Sequence, residues 1–206
     1  MYFQCPNLEA KFEQMNKFSK KIKADIASYE MANYEAIAEY MAKRLKTRVI
    51  AELCCGVGIT AIQLAKFSKV IAVDNNKEYI KNAKYNAKLY GVKIDFIVGD
   101  VLDKNILKKI KANIAVLDPD WSSSDDKSLH VANISETQPP LDKLYNLTKK
   151  NITNNVCFRF PKTIDTKQIK KLDNCEIQKV FLDNDFKFYI AYFGDLIRKK
   201  ETEVRL

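Results

Sequence analysis

Four carboxylates recur at the same place relative to a short apolar run. Glu52 lies within Val49-Ile50-Ala51-Glu52-Leu53, and Asp74 closes Val70-Ile71-Ala72-Val73. Asp100 follows Ile94-Asp95-Phe96-Ile97-Val98 and Gly99, and Asp118 closes Asn113-Ile114-Ala115-Val116-Leu117. One acid so placed is commonly a helix cap or a solvated turn. Four in register mark a single ligand-binding edge. After the first run comes Cys54-Cys55-Gly56-Val57-Gly58. Glycines at a strand-to-helix turn let a ligand approach the backbone, and helix amide ends attract electron-rich groups. Glu52, just before that loop, can meet an ammonium group and would repel a pyrophosphate. Asp74, 16 residues past Gly58, can accept both hydroxyls of a ribose. Asp100 with Val101 can hold an adenine amino group. An ammonium, a ribose and an adenine together make S-adenosylmethionine. Gly56-Val57-Gly58-Ile59-Thr60-Ala61 also fits a loose GxGxxA dinucleotide fingerprint, so a nicotinamide oxidoreductase stays as a rival.

Asp118-Pro119-Asp120-Trp121 sets two acids, a proline and the only tryptophan after the fourth run. An exocyclic amine is hard to methylate because its lone pair is delocalised into the ring. Acceptors must hold its hydrogens while the methyl group approaches in line. The Asp118 side chain and the Pro119 main-chain carbonyl can be those acceptors, and Pro119 stiffens the turn. Trp121 can stack on an unpaired or extruded base. A core tryptophan is the plainer reading, but the polar run Ser122-Ser123-Ser124-Asp125-Asp126-Lys127 is a poor setting for a buried ring.

The elements that must position these residues follow from periodicity. Residues 8–46 predict two helices, with Ile37, Met41 and Leu45 at helical spacing. The apolar runs predict strands, separated by helices over 59–67, 77–90 (ended by Gly91) and 103–111. Residues 155–160 predict a fifth strand, and 176–182 and 186–193 flank the hairpin signal Asp183-Asn184-Asp185. The expected fold is α/β: a Rossmann-like, doubly wound, mostly parallel sheet closed by a C-terminal antiparallel hairpin, with N-terminal helices. The expected division is an N-terminal helical segment (1–46), a catalytic domain (47–198) and a charged C-terminal tail (199–206).

Bulk properties narrow the class. The 206 residues are 47% hydrophobic, a globular composition. No apolar stretch approaches the roughly 20 residues of a membrane span, and the first residues lack a signal-peptide layout. The expectation is a soluble intracellular protein, nuclear or cytoplasmic if the source is a eukaryote. Five cysteines and the lone His130 show no metal-ligand spacing, so no metal is expected and the thiols read as reduced and buried. A net charge of +9 suits a phosphate-rich partner, although lysine is frequent along the whole chain.

The arrangement ELCCGVG, VIAVDNN, YNAKLYGV, FIVGD and DPDW resembles class I S-adenosylmethionine-dependent methyltransferases that act on amino groups. KKNITNNVCFRFP (149–161), IAYFGDLIR (190–198) and KFSKKIKADIASY (17–29) are similar to the trimethylguanosine synthase family. That resemblance implies methylation of the guanine 2-amino group of a 7-methylguanosine RNA cap. It implies a donor site of Glu52, Cys55, Gly56, Gly58, Asp74, Asn75, Asp100 and Val101. It gives Asp118, Pro119 and Trp121 to catalysis, with Trp121 stacking on the cationic base. Lys23 and Lys162 match positions that hold cap phosphates, and Tyr29 an aromatic position. Lys162 stands where arginine is usual, without its bidentate grip. Asp118 falls where the family has serine, although related amino-methyltransferases use an acid or amide. Asp120 replaces a second proline, and serines replace the glycines after Trp121. Other readings stay open: a tRNA or rRNA guanine or another base amine as substrate, or a binding module without turnover. Asp120 either reads the two adjacent donors of guanine or merely replaces a turn proline. The first predicts that Asp120→Asn weakens guanosine binding, and the second predicts unchanged affinity in the same titration.

Overall fold

Short β-branched runs that are apolar on both faces form central strands, and the computed structural model, which describes residues 17–123 and 129–206, arranges them so. The strands are β1 (Val49–Leu53), β2 (Lys69–Asp74), β3 (Asp95–Val98), β4 (Ile114–Leu117), β5 (Val156–Phe160), β6 (Cys175–Leu182), β7 (Asp185–Phe193) and β8 (Glu201–Arg205). They form one sheet in the order β3-β2-β1-β4-β5-β7-β6-β8. Neighbours from β3 to β5 are parallel, and β7 is antiparallel to both β5 and β6. The order reverses between β1 and β4, so the ligand crevice of such a sheet belongs at their carboxyl ends.

The helices are α1 (Ile26–Met31), α2 (Glu35–Arg44), α3 (Ile59–Leu64), α4 (Lys77–Tyr90), α5 (Lys104–Leu107), α6 (Leu141–Asn151) and α7 (Thr166–Lys170). Strand alternation sorts the core onto two faces. Ala51, Leu53, Ala115, Leu117 and Phe158 pack with Leu144 and Tyr145 of α6. Ile50, Ile114, Val116 and Cys157 pack with Ile37 and Met41 of α2 and with Ala61 and Leu64 of α3. Glu52, Asp118 and Arg159 share the parity of this second set, so one face carries a polar row at its upper edge.

Several expectations change. The part of the first expected helix over 8–16 lies outside the described residues. Residues 17–25 are irregular, and α1 starts only where Asp25 and Ser28 form a capping box. The helix expected over 103–111 is four residues long. At the β6–β7 turn Asp183 and Asn184 take φ of 52° and 62°, the geometry of a type I′ hairpin.

The charged stretch 199–206 is not a tail. Glu201–Arg205 pairs in parallel with β6. Glu176 holds it there, being buried and accepting hydrogen bonds from Arg44, the Arg198 amide and the Thr202 hydroxyl. Burial alone would raise the Glu176 carboxyl, but hydrogen bonds from Arg44, Thr202 and the Arg198 amide hold it below its ordinary value. The Arg44 guanidinium also lies 3.5 Å from the Tyr192 ring centroid.

The NITNNV and FGDLIR stretches meet at the end of the sheet opposite the crevice. Asn155 accepts the Asp195 amide, at 2.8 Å. Gly194, at φ +65°, presses so closely on Asn154 and Asn155 that a Cβ there would collide. Their role is to lock β5 to β7. Breaking a buried ion pair from one side strands its partner. Arg44→Met is therefore expected to cost about 3–5 kcal/mol, read as a lowered urea midpoint.

Candidate functional site

The strand register brings the four acids to one edge. Leu53 is level with Val73 on β2 and Leu117 on β4, so Asp74 and Asp118 flank Cys54. Burial, then the charges of Asp74, Asp118, Glu52 and Asp100, push the Cys54 thiol well up. All four carboxylates therefore surround one point, at which the chain turns with φ 68°.

Glu52 is 1% exposed, and its Oε2 has no hydrogen-bond partner among the described residues. Burial and the Asp118 charge drive its carboxyl well above the usual range, against the pull of Arg159. Asp74 takes the Gly56 amide on Oδ2 and the Asn76 amide on Oδ1. Burial nevertheless raises its carboxyl. Asn75 is exposed beside it. Asp100 is exposed and takes the Leu102 amide at 2.8 Å, while Val101 is buried in the core. Cys55 is buried against the α2–α3 face. The two glycines differ in purpose. A Cβ on Gly58 would meet Ala83 of α4 at 3.0 Å, whereas one on Gly56 would project into open space. Gly58 serves packing and Gly56 leaves room for a ligand.

The acceptor side is built differently from expectation. Arg159, buried on β5, grips Asp118 bidentately, with Nε at 3.0 and 3.1 Å from its two oxygens and Nη2 on Oδ2. A carboxylate has about four lone-pair sites, and the Arg159 grip takes up most of those on Asp118. Burial still pushes its carboxyl up, against Arg159 and Trp121. Pro119 is buried. Asp120 builds the turn: Oδ1 accepts both the Ser122 amide and its hydroxyl, and its backbone pairs with Gln138. Trp121 is partly buried. Its ring meets Phe188 edge-on at 5.8 Å and His130 at 5.7 Å, with the Arg159 guanidinium 5.0 Å from its centroid. Residues 124–128 of the polar run after it lie outside the described residues.

The proposed phosphate contacts do not converge. The Lys23 ammonium lies 5.7 Å from the Tyr85 ring on α4. Lys162 is half-exposed, 4.0 Å from Asp185 and over Phe186 at the β6–β7 turn. They occupy opposite halves of the sheet. Tyr29 stands edge-on to Phe18 and forms, with Tyr34, an aromatic surround for the Lys17 ammonium. Burial, then the Arg159 charge, brings Lys17 down to about 7.

Sequence reasoning missed Arg159, which reads as one polar residue in an apolar strand. It also missed Asn86. This fully buried amide accepts the Lys23 N–H and donates to the carbonyls of Lys23 and Val57. It clasps the N-terminal segment to the glycine loop. Burial, then the charges of Asp25, Asp74 and Asp120, raise the phenol of Tyr79 on α4. A polar residue on the buried stripe of α4 was the available signal for Asn86.

A family model described as RNA cap guanine-N2 methyltransferase matches residues 47–196. Trimethylguanosine synthase of Schizosaccharomyces pombe is 25% identical over 170 residues, 77% of this chain and 71% of that protein. The crystal structure of a methyltransferase from Porphyromonas gingivalis W83 superposes with a TM-score of 0.73 at 17% identity, covering 94% of this chain and 48% of that one. The O-methyltransferase TomG of Streptomyces achromogenes, solved in complex with SAM, gives 0.55 at 11% identity, covering 94% and 99%. At these identities the two structures establish the fold.

S-Adenosylmethionine fits the residues present. The donor is cationic at sulfur and ammonium, and the crevice is ringed by carboxylates, one with an oxygen lacking a partner. Gly56 leaves the approach open. This fit has a cost in the free protein. A carboxyl whose folded value is raised binds its proton more readily folded than unfolded, so stability falls as pH climbs from about 4.5 through the raised value. Glu52→Gln removes that loss. Its melting temperature should exceed the wild type's at pH 8, match it more closely near pH 4, and respond less to added S-adenosylmethionine.

Proposed function

The chain belongs to the RNA cap guanine-N2 methyltransferase family, and we propose that it methylates the guanine 2-amino group of a 7-methylguanosine RNA cap. As an S-adenosylmethionine-dependent RNA methyltransferase it draws on an already activated methyl group, so no covalent enzyme intermediate is needed. What remains for the chain is to bind, orient and exclude water.

The observation that carries the reading is the fixed indole at the mouth of β4. Trp121 is held by Phe188 and His130 at its ring, by the Arg159 guanidinium 5.0 Å from its centroid, and by Val131, whose amide donates to its carbonyl at 2.9 Å. A ring pinned this way is preorganised for stacking, and its faces attract a cationic base. With the Asp118 oxygens engaged by Arg159, we assign the amine hydrogens to the main-chain carbonyl of Pro119. Asp120 supports the turn through Ser122.

One observation favours a second substrate, an unmodified guanine within RNA. The Arg159 guanidinium already lies over the indole, and a second cation stacked on the same ring meets its repulsion. Asp118 compensates that charge at hydrogen-bond distance, so an incoming base faces a neutral pair. For this reason the cap reading is kept.

Transfer of labelled methyl from S-adenosylmethionine to a 7-methylguanosine cap analogue tests it, with GTP and uncapped RNA in parallel. The cap analogue alone should be methylated. Trp121→Ala should lower kcat/KM by at least about tenfold. Equal transfer to uncapped RNA would move the substrate to internal guanines.

A further inference from the structure

Helix α4 carries more charge than its packing needs. Lys77, Lys81, Lys84 and Lys88 are spaced by four, three and four residues and are all exposed, so they fall on one side of the helix. The opposite side is buried through Ile80, Ala83, Asn86 and Ala87. Glu78 is the one acid on the helix, and it pairs with Lys81 at 3.2 Å. Beside the stripe stands Tyr85, a large ring that is 53% exposed. The Lys23 ammonium lies against this ring. At the carboxyl end of α4, Lys84, Lys88 and Lys93 rim a shallow hollow floored by Ile94 and Phe96. The stripe runs about 16 Å along the helix.

Lysines in a row with an exposed aromatic among them are what a single-stranded nucleic acid requires: cations for the phosphates and a ring for a base. We infer that the outer face of α4 is a docking track for the RNA body, separate from the pocket that holds the target guanine. The inference rests on the family's RNA chemistry and adds where the rest of the strand lies. Two features connect track and crevice. The Asn86 clasp joins Lys23, at the track, to Val57 in the glycine loop. The first turn of α4 follows directly on Asp74. An RNA lying along α4 thus has one end, at Lys77, beside the carboxyl ends of the strands where the methyl transfer is placed.

The track predicts two separable affinities. The probe is a fluorescent, uncapped oligouridine of about 20 nucleotides, titrated with protein in rising KCl. A variant carrying Lys77→Gln, Lys81→Gln, Lys84→Gln and Lys88→Gln together should bind more weakly. Its plot of log affinity against log salt should be shallower by about 3. Tyr85→Ala should bind about tenfold more weakly with the salt slope unchanged. Both variants should methylate a mononucleotide cap analogue like the wild type and show a raised KM for the same cap on a long RNA. Unchanged salt slope in the quadruple variant would overturn the track. So would loss of turnover on the mononucleotide equal to that on long RNA. Phosphatidylserine vesicles binding as tightly as the oligouridine, with Tyr85→Ala without effect, would reduce the face to bulk charge and also overturn it. The binding arm needs no turnover, so failure of the cap analogue as substrate would count against the cap reading and leave this one to be decided by the titration.

Discussion

The contact between Asp118 and Arg159 is the constraint on which the reactive edge depends. Sheet topology places the carboxyl ends of β1, β2, β3 and β4 around Cys54, and each brings an acid. Carboxylates crowded in a buried site repel one another and lose hydration. Arg159 enters from β5 and is the cation hydrogen-bonded to any of the four among the described residues. It neutralises Asp118, moderates Glu52 and lies against Trp121. The same guanidinium therefore permits the acid cluster and fixes the aromatic platform beside it. Its fork geometry matters, because a lysine could not hold both oxygens of Asp118 while presenting a flat face to the ring.

Donor and acceptor sides are built on opposite electrostatic plans. Around the glycine loop, Glu52 is buried with one oxygen lacking a partner among the described residues, and burial drives its carboxyl up. Around Trp121, charge is compensated at bond distance and the geometry is rigid. The first leaves a buried carboxyl that a neighbouring cation would help to ionise; the second holds a flat surface still.

Much of this could be read from the residues alone. The parallel strands were plain because runs such as Ile114–Leu117 are apolar on both faces, and the hairpin because Asp183 and Asn184 tolerate positive φ. The acids at strand ends were visible through their spacing. What could not be read were interactions between residues distant in sequence. Asp118 looked like an acceptor because its partner is 41 positions away. Glu201–Arg205 looked like a tail because its strand character depends on Glu176, which an alternating, charged sequence does not announce. The most distinctive stretches, NITNNV and FGDLIR, proved to be a joint between two strands far from the chemistry. A sequence pattern reports that residues are constrained, not whether packing or catalysis constrains them.

Asn86 gives the molecule one further property. Its single amide bridges two pieces of chain that would otherwise move separately, the N-terminal segment at Lys23 and the glycine loop at Val57. Free-energy coupling of this kind runs equally in both directions. To the extent that a ligand steadying the loop also steadies the segment, anything that orders the segment returns the same free energy to the loop. On the docking track inferred above, an RNA held near Lys23 and a methyl donor held at the glycine loop would share one hinge pin, the Asn86 amide.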